Sequence, residues 1–216
     1  MYLPPSFEVE SRAEIIEMLQ RAPFGHCVTD GSGDGQARLA STPLPFVVDG
    51  DLTHVRAHVA RANPHWRHID GAEALLIVPG PDAYVSPRWY PSKADNARVV
   101  PTWNYEVVHL HGTIEVHDDP AWKRQVVADL AEHHEDIVID PVRTEVWNVS
   151  DAPDDFVDRQ LRAIVGVRLH ITDVEAKRKL SQNKPMGDRI GAAEGLARST
   201  RSRDVDTADR MRSTLE

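Results

Sequence analysis

The sequence predicts an α+β protein in which a small β-barrel carries flanking helices. Two observations indicate this class. Most patterned segments alternate apolar and polar residues with a period of two, and turn residues separate them at short intervals, as in half-buried antiparallel strands. The chain also contains neither an internal repeat nor the glycine fingerprint of a dinucleotide-binding fold. Short antiparallel strands with few helices favour a closed sheet.

The first predicted elements are a helix and three strands. The segment Ser11-Arg12-Ala13-Glu14 is a capping box, and Pro23 ends the helix that follows it. Strands are predicted over residues 25–29, 37–48 and 52–59. The turns that join them are predicted at residues 31–35 and 49–51, where glycine and aspartate cluster.

The remaining predicted elements are three strands and a helix, followed by a polar tail. Strands are predicted over residues 72–78, 107–117 and 163–171, and Asp119-Pro120 marks the start of a helix between the last two. Residues 1–194 are therefore predicted to form the barrel domain. Residues 195–216 are rich in arginine, serine, threonine and aspartate, so we expect them to be poorly ordered.

Composition and charge exclude several classes of protein. The 216 residues carry a formal net charge of −9, which disfavours a nucleic-acid partner because such proteins neutralise phosphates with basic side chains. The longest apolar run, residues 74–78, is far shorter than the roughly 20 residues that a membrane helix needs. The first residues lack the pattern of a signal peptide, and the single Cys27 excludes an internal disulfide. We therefore expect a cytoplasmic protein that does not bind membranes.

One predicted strand places three basic side chains on a single face. His54, Arg56 and His58 alternate with apolar residues, so they share one side of the strand. This arrangement would suit an anionic group of a ligand. A solvated strand face with titratable histidines explains the same pattern, and the strand alone does not separate the two interpretations.

The segment after this strand has the features of a helix start. Asn63 is a good N-cap residue, Pro64 suits the first helical position, and Arg61 lies just before them. A helix N-terminus presents free backbone N–H groups to an anion. His65 would then project from a fixed backbone, where a neutral imidazole could ligate haem iron. A surface or capping histidine is the alternative interpretation.

The loop over residues 86–105 combines prolines with aromatic residues. Trp89, Tyr90, Trp103 and Tyr105 lie in this stretch, and prolines restrict its backbone. Aromatic side chains on a stiff loop either plug the end of a barrel or form the wall of a planar cofactor's site. Composition leaves both interpretations open.

Several motifs together resemble one family. They are Met1-Tyr2-Leu3-Pro4, Arg61-Ala62-Asn63-Pro64-His65-Trp66, Tyr84-Val85-Ser86-Pro87 with Trp89-Tyr90, Val100-Pro101-Thr102-Trp103-Asn104-Tyr105, and Lys179-Leu180-Ser181-Gln182-Asn183-Lys184. The pattern is similar to the PaiB-like proteins, labelled FMN-binding negative transcriptional regulators, over about residues 1 to 195. The resemblance implies a split β-barrel of the pyridoxamine-phosphate-oxidase or FMN-binding type, forming a homodimer with cofactor sites at the subunit interface.

One branch of this family implies a specific enzyme. It consists of haem-dependent piperazate synthases, which form the N–N bond of L-piperazic acid by cyclodehydration of the amino acid N5-hydroxy-L-ornithine. His65 resembles the axial haem ligand of that branch. The resemblance therefore implies haem b as cofactor and a small amino acid as substrate. The alternatives are an FMN-binding regulator, with the phosphate held at Asn63, and a haem-binding or haem-degrading split barrel.

The same resemblance implies roles for further residues. His65 would be the metal ligand, and Trp103 would help to enclose the porphyrin. Cations around the haem propionates would come from Arg56, His58 and Arg61, next to Asn63. A proton donor to the leaving hydroxyl is required. The candidates are Lys93, Tyr105 and Lys184.

Overall fold

The computed structural model describes residues 1–31, 39–137 and 145–215. Its strands are β1 (Phe24–Asp30), β2 (Leu39–Val48), β3 (His54–Ala60), β4 (Glu73–Val85), β5 (Thr102–His117) and β6 (Ile164–Lys179). Its helices are α1 (Arg12–Arg21), α2 (Lys93–Asn96), α3 (Pro120–Ile137), α4 (Asp154–Arg162), α5 (Met186–Ala197) and α6 (Ser202–Arg212). Residues 32–38, which contain most of the predicted turn at 31–35 and the start of the predicted strand 37–48, lie outside the described residues.

The six strands close into a barrel in the order β1-β2-β3-β6-β5-β4, which confirms the predicted fold class. Neighbouring strands run antiparallel in the pairs β1–β2 and β3–β6, where Cys27 lies opposite Thr42 and Ala57 lies opposite Val167. Alternate residues of each strand point inward, as a period of two requires. The inward apolar side chains surround a small central void of about 20 Å³. They are Cys27, Leu44, Val55, Ala57, Leu76, Ile114, Val167 and Leu169.

The chain divides into two compact units. Unit 1 consists of residues 1–15, 79–108 and 175–216. Unit 2 consists of residues 16–78 and 109–174. No helix in the described part of the chain is both long and apolar enough to span a membrane.

In unit 2, helix α3 covers the outer face of the sheet next to β3. Val126 and Leu130 of α3 form a buried cluster with Val47 of β2. Trp122 lies against Gly166 of β6, where a Cβ atom would stand 2.1 Å from the indole ring. The glycine is therefore required for the close approach of the helix to the sheet.

In unit 1, helices α5 and α6 pack on an apolar core. This core consists of Ala83, Val85, Tyr90, Leu180, Ala192, Ala193, Leu196, Ala208 and Met211. Trp89 packs beside it against Gly195 of α5, where a Cβ atom would lie 2.3 Å from the indole ring. Because Gly195 has no side chain, it leaves the space that the large Trp89 side chain occupies.

The C-terminal segment differs from the poorly ordered tail predicted over residues 195–216. Residues 202–212 form α6, which buries Thr207, Ala208 and Met211 on one face. Arg203 also forms an ion pair with Asp82 of β4. The composition is polar, but apolar residues three positions apart suffice to attach a short helix to an existing core.

Candidate functional site

The turn that carries His65 is fixed by local hydrogen bonding in unit 2. Residues Pro64–His68 form a 3₁₀ helix between β3 and β4. The Asn63 side chain accepts a hydrogen bond from the His65 backbone N–H at 3.0 Å, which confirms Asn63 as the N-cap. The predicted helix is therefore a single short turn of five residues. It orients His65 but is too short to supply the helix N-terminus that we expected to bind an anion.

The His65 ring is held between two threonine hydroxyls. Its Nε2 lies 2.8 Å from Thr29 Oγ1, and its Nδ1 lies 2.7 Å from Thr42 Oγ1. The Asn63 amide also donates to Thr42 Oγ1 at 3.0 Å. Both threonines are buried at inward positions of β1 and β2. Asn63 and Thr42 thus fix both the backbone and the ring of His65.

A surface cavity of about 480 Å³ adjoins this histidine. Polar side chains in its wall are Thr29, Asp30, Ser41, Thr42, Asn63, His65 and His68. The volume falls within the range of about 300–1,000 Å³ that is common for small-molecule sites. The site therefore combines a cavity with a rigidly held imidazole.

The protonation state of His65 favours metal binding. Burial, and to a lesser extent the nearby charge of His68, lower the pKa of His65 below its usual value. The ring is therefore neutral at pH 7, which is the form that ligates metals. The sequence prediction named His65 but not the other polar residues that share its cavity, His68, Thr29 and Thr42.

Arg56 and His58 of β3 are not among the residues that line this cavity. Arg56 donates to Asp49 at 3.0 Å and forms an ion pair with Asp129 of α3. Burial lowers the pKa of His58, whose Nδ1 has no hydrogen-bond partner among the described residues. Arg56 is thus already paired with two carboxylates, and the expectation that this face holds an anionic ligand remains a prediction.

Arg61 forms a more exposed ion pair at the end of β3. Its guanidinium binds Asp118, and its Nε donates to the carbonyl oxygen of Arg162 at 2.8 Å. The hydrogen bonds from Arg61 and from Lys123 lower the pKa of Asp118 to about 2. Asp118 is 57% exposed, so water competes for this pair.

The other predicted site residues lie in unit 1. Trp103 is half exposed and packs edge-to-face with Tyr84, with ring centroids 6.1 Å apart. Tyr105 lies beneath the ammonium groups of two lysines on β6. Lys184 lies 5.6 Å from the ring centroid of Tyr90, and Lys93 is exposed on the short helix α2. The predicted roles of Lys93, Tyr105 and Lys184 as proton donors remain predictions.

The two threonines were not among the predicted site residues, although the sequence carries a signal for them. Thr29 and Thr42 occupy inward positions in strands whose other inward residues are mostly apolar, such as Cys27 and Leu44. A polar residue at a predicted core position needs a hydrogen-bond partner. That requirement could have singled out both threonines as possible contacts of a nearby ligand or histidine.

Comparison with known proteins places this chain in a family. A family model described as "Putative FMN-binding domain" matches residues 1–173. The chain is 31% identical to the Protease synthase and sporulation protein PAI 2 of Bacillus subtilis over 100% of this chain and 99% of that protein. It is 30% identical to an uncharacterised protein of Aspergillus fumigatus over 91% of this chain and 90% of that protein.

Solved structures share the fold at lower identity. The FAD and haem binding protein from Mycobacterium smegmatis is 20% identical, with a TM-score of 0.56 over 80% of this chain and 73% of that one. A conserved hypothetical protein from Mycobacterium tuberculosis is 16% identical, with a TM-score of 0.58 over 86% of this chain and 94% of that one. These matches confirm the predicted split barrel. The chain therefore belongs to the FMN-binding-domain family of PaiB-like proteins that its motifs resemble.

Proposed function

We propose that the protein is a haem-dependent piperazate synthase in which His65 ligates the haem iron. The observation that carries the proposal is the neutral, half-buried His65 held beside a cavity of about 480 Å³. The coarser part of the proposal is that the chain binds a flavin or a haem. The family model is named for FMN, and a structure with the same fold is described as binding FAD and haem.

The groups around His65 fit an axial ligand. A ligating histidine usually keeps a hydrogen bond on its second ring nitrogen, which fixes the ring orientation. Both nitrogens of His65 have a threonine partner, so one bond would give way to the metal and the other would remain. Of the two threonines, Thr42 is itself fixed by Asn63, so it is the better candidate for the bond that remains.

The expected cations differ in how well they fit the haem propionates. Arg61 pairs with an exposed aspartate, and such a pair contributes only about 0–1 kcal/mol to stability. Arg61 could therefore leave Asp118 and bind a propionate at a small cost in free energy. Arg56 is bound on two sides by Asp49 and Asp129 under α3. We therefore favour Arg61 over Arg56 and His58 for this role.

The proposed reaction is balanced without an external oxidant or reductant. The α-amine nitrogen of N5-hydroxy-L-ornithine bonds to N5, the N5–O bond breaks, and the oxygen leaves as water. When bound, haem supplies a Lewis-acid centre for the hydroxylamine group. The chain must fix the cofactor through His65, shield the substrate from water in the cavity, and donate a proton to the leaving hydroxyl. Lys93, Tyr105 and Lys184 remain the proposed donors.

The test compares two histidines of the same turn. His65→Ala is expected to abolish the Soret absorbance of reconstituted protein and the formation of piperazic acid from N5-hydroxyornithine, measured by mass spectrometry. The control His68→Ala removes the other imidazole of the cavity and is expected to keep the Soret band. Circular dichroism checks that both variants are folded. Full haem binding and turnover by His65→Ala would overturn the proposal.

The second candidate is an FMN-binding protein of the regulator type, which the name of the family model favours. The absorbance spectrum of the purified protein separates the two candidates. Flavin gives one band in the near ultraviolet and one in the blue, whereas haem gives a Soret band. Stoichiometric FMN in wild-type protein that also fails to take up haem would replace the synthase proposal with this one.

A further inference from the structure

The lysines of this chain are concentrated in one short segment. The sequence contains twenty arginines but five lysines, and three of these lysines are Lys177, Lys179 and Lys184. Most basic side chains of the protein are therefore arginines, and three of its five lysines lie within residues 177–184. A lysine ammonium is a compact point charge with three rotatable N–H donors, which sets it apart from the planar guanidinium.

Successive side chains of β6 point to opposite faces of the sheet, so Lys177 and Lys179 lie on the face opposite to Arg178. Arg178 donates to the buried Glu106 at 2.7 Å and also binds Glu14, so its charge is balanced within unit 1. Lys177 and Lys179 are two residues apart on the strand and therefore share the opposite face. Lys184 lies in the turn after the same strand.

Aromatic rings and neutral oxygens surround these ammonium groups. The Nζ atoms of Lys177 and Lys179 lie 5.6 and 5.9 Å from the ring centroid of Tyr105. Lys177 donates to the carbonyl oxygen of Tyr2 at 2.8 Å, and Lys179 donates to Thr102 Oγ1 at 2.5 Å and to the carbonyl oxygen of Trp103. Each ammonium has three donors, so at least one N–H of each remains for another partner.

The three positive charges lack a balancing carboxylate. No carboxylate of residues 1–31, 39–137 or 145–215 forms an ion pair with Lys177, Lys179 or Lys184. Burial lowers the pKa of Lys179, and the charges of Lys177 and Lys184 lower it further. Like charges held together in a partly buried place are unfavourable, and an anion would relieve this repulsion.

We propose that Lys177, Lys179 and Lys184 form a binding site for an oxyanion, either a carboxylate or a phosphate group, on unit 1. The ammonium groups would bind the oxygens, and Tyr105 would form the floor between the first two lysines. The half-exposed Trp103 beside them offers an apolar surface for the remainder of the ligand. The site lies within unit 1, and it gives Tyr105 and Lys184, two residues that the proposed function offers as proton donors, a role in anion binding that does not require a cofactor at His65.

The first experiment measures anion binding to the full chain by calorimetry. Inorganic phosphate and acetate serve as probes, and the one that binds with saturation identifies the class of oxyanion. Lys179→Ala is expected to weaken that binding about tenfold, the effect of losing one charged hydrogen bond. The control Arg198→Ala removes an exposed positive charge at the end of α5 and is expected to change the affinity less than about twofold.

A second experiment uses wild-type protein and so does not depend on the folding of a variant. Limited acetylation with acetic anhydride is followed by peptide mass spectrometry, with and without the anion. Saturating anion is expected to protect Lys179 and Lys184 and to leave the exposed Lys93 unprotected. Equal protection of Lys93 and Lys179, or the same affinity in wild type and Lys179→Ala, would overturn the proposal.

Discussion

The hydroxyl oxygen of Thr42 lies 2.7 Å from Nδ1 of His65 and 3.0 Å from the amide nitrogen of Asn63. Asn63 in turn caps the backbone of His65. One inward residue of β2 therefore connects the cap of the turn to the ring that the turn carries. The position of His65 depends on the barrel as well as on its own local sequence.

Thr42→Val is expected to loosen His65 without changing the shape of the strand. Valine matches threonine in size but removes the oxygen that both Asn63 and His65 contact. We expect the free energy of unfolding to fall by about 1–3 kcal/mol, because the partly buried Asn63 amide loses its hydrogen-bond acceptor. Haem titration should show weaker binding than in wild type. The control Thr172→Val, at an exposed position on β6, should alter neither quantity.

Stability should decline as the pH falls from neutral, partly because of His58. Burial lowers the pKa of His58, so the folded protein binds fewer protons than the unfolded chain below the usual histidine pKa of about 6.5. The unfolded state is therefore favoured as the pH decreases from about 7.5 to 5.5. Urea unfolding at several pH values should show a smaller decline for His58→Leu than for wild type. An unchanged pH dependence would contradict the burial of His58, and the exposed His26→Leu provides the control.

Gly195→Ala is expected to destabilise unit 1, although alanine normally favours a helix. A Cβ atom at this position would lie 2.3 Å from Trp89, so the ring or the helix must move at a cost of about 1–3 kcal/mol. Gly187→Ala on the same helix is the matched control, since its Cβ atom would meet nothing nearer than 4.0 Å. Thermal melts should show a lower Tm for the first variant only. Equal Tm values would mean that Trp89 does not pack on Gly195.

Met211→Ala should reveal whether α6 belongs to the folded core. Met211 is 1% exposed, and its truncation is expected to lower the free energy of unfolding by about 2–5 kcal/mol. Met186→Ala makes the same chemical change at a position that is 49% exposed, with an expected effect below about 0.5 kcal/mol. Similar effects in the two variants would instead support the poorly ordered C-terminal tail that the composition predicts.

Local patterns predicted the six strands and helices α1 and α3 but not α2, α4, α5 or α6, and long-range packing determines the contacts of the site. The Asn63-Pro64 pair correctly located the turn, because capping depends on neighbouring residues alone. The alternation of His54, Arg56 and His58 was also correct, but the partner of that face is Asp129, which lies far away in the sequence. No period in the sequence indicates which helix will cover which strand face. The contact of Thr29 with His65 could not be predicted for the same reason, because the two residues lie 36 positions apart in the sequence.

The single cysteine gives this barrel a built-in reporter of its own opening. Cys27 is 5% exposed among apolar side chains, and burial raises the pKa of its thiol to about 11. An alkylating reagent requires an accessible thiolate, so it reacts at this position mainly when strands separate. The alkylation rate therefore reports on barrel opening in the native protein. Cysteines introduced on the surface can meanwhile carry fluorescent or spin labels with little background from within.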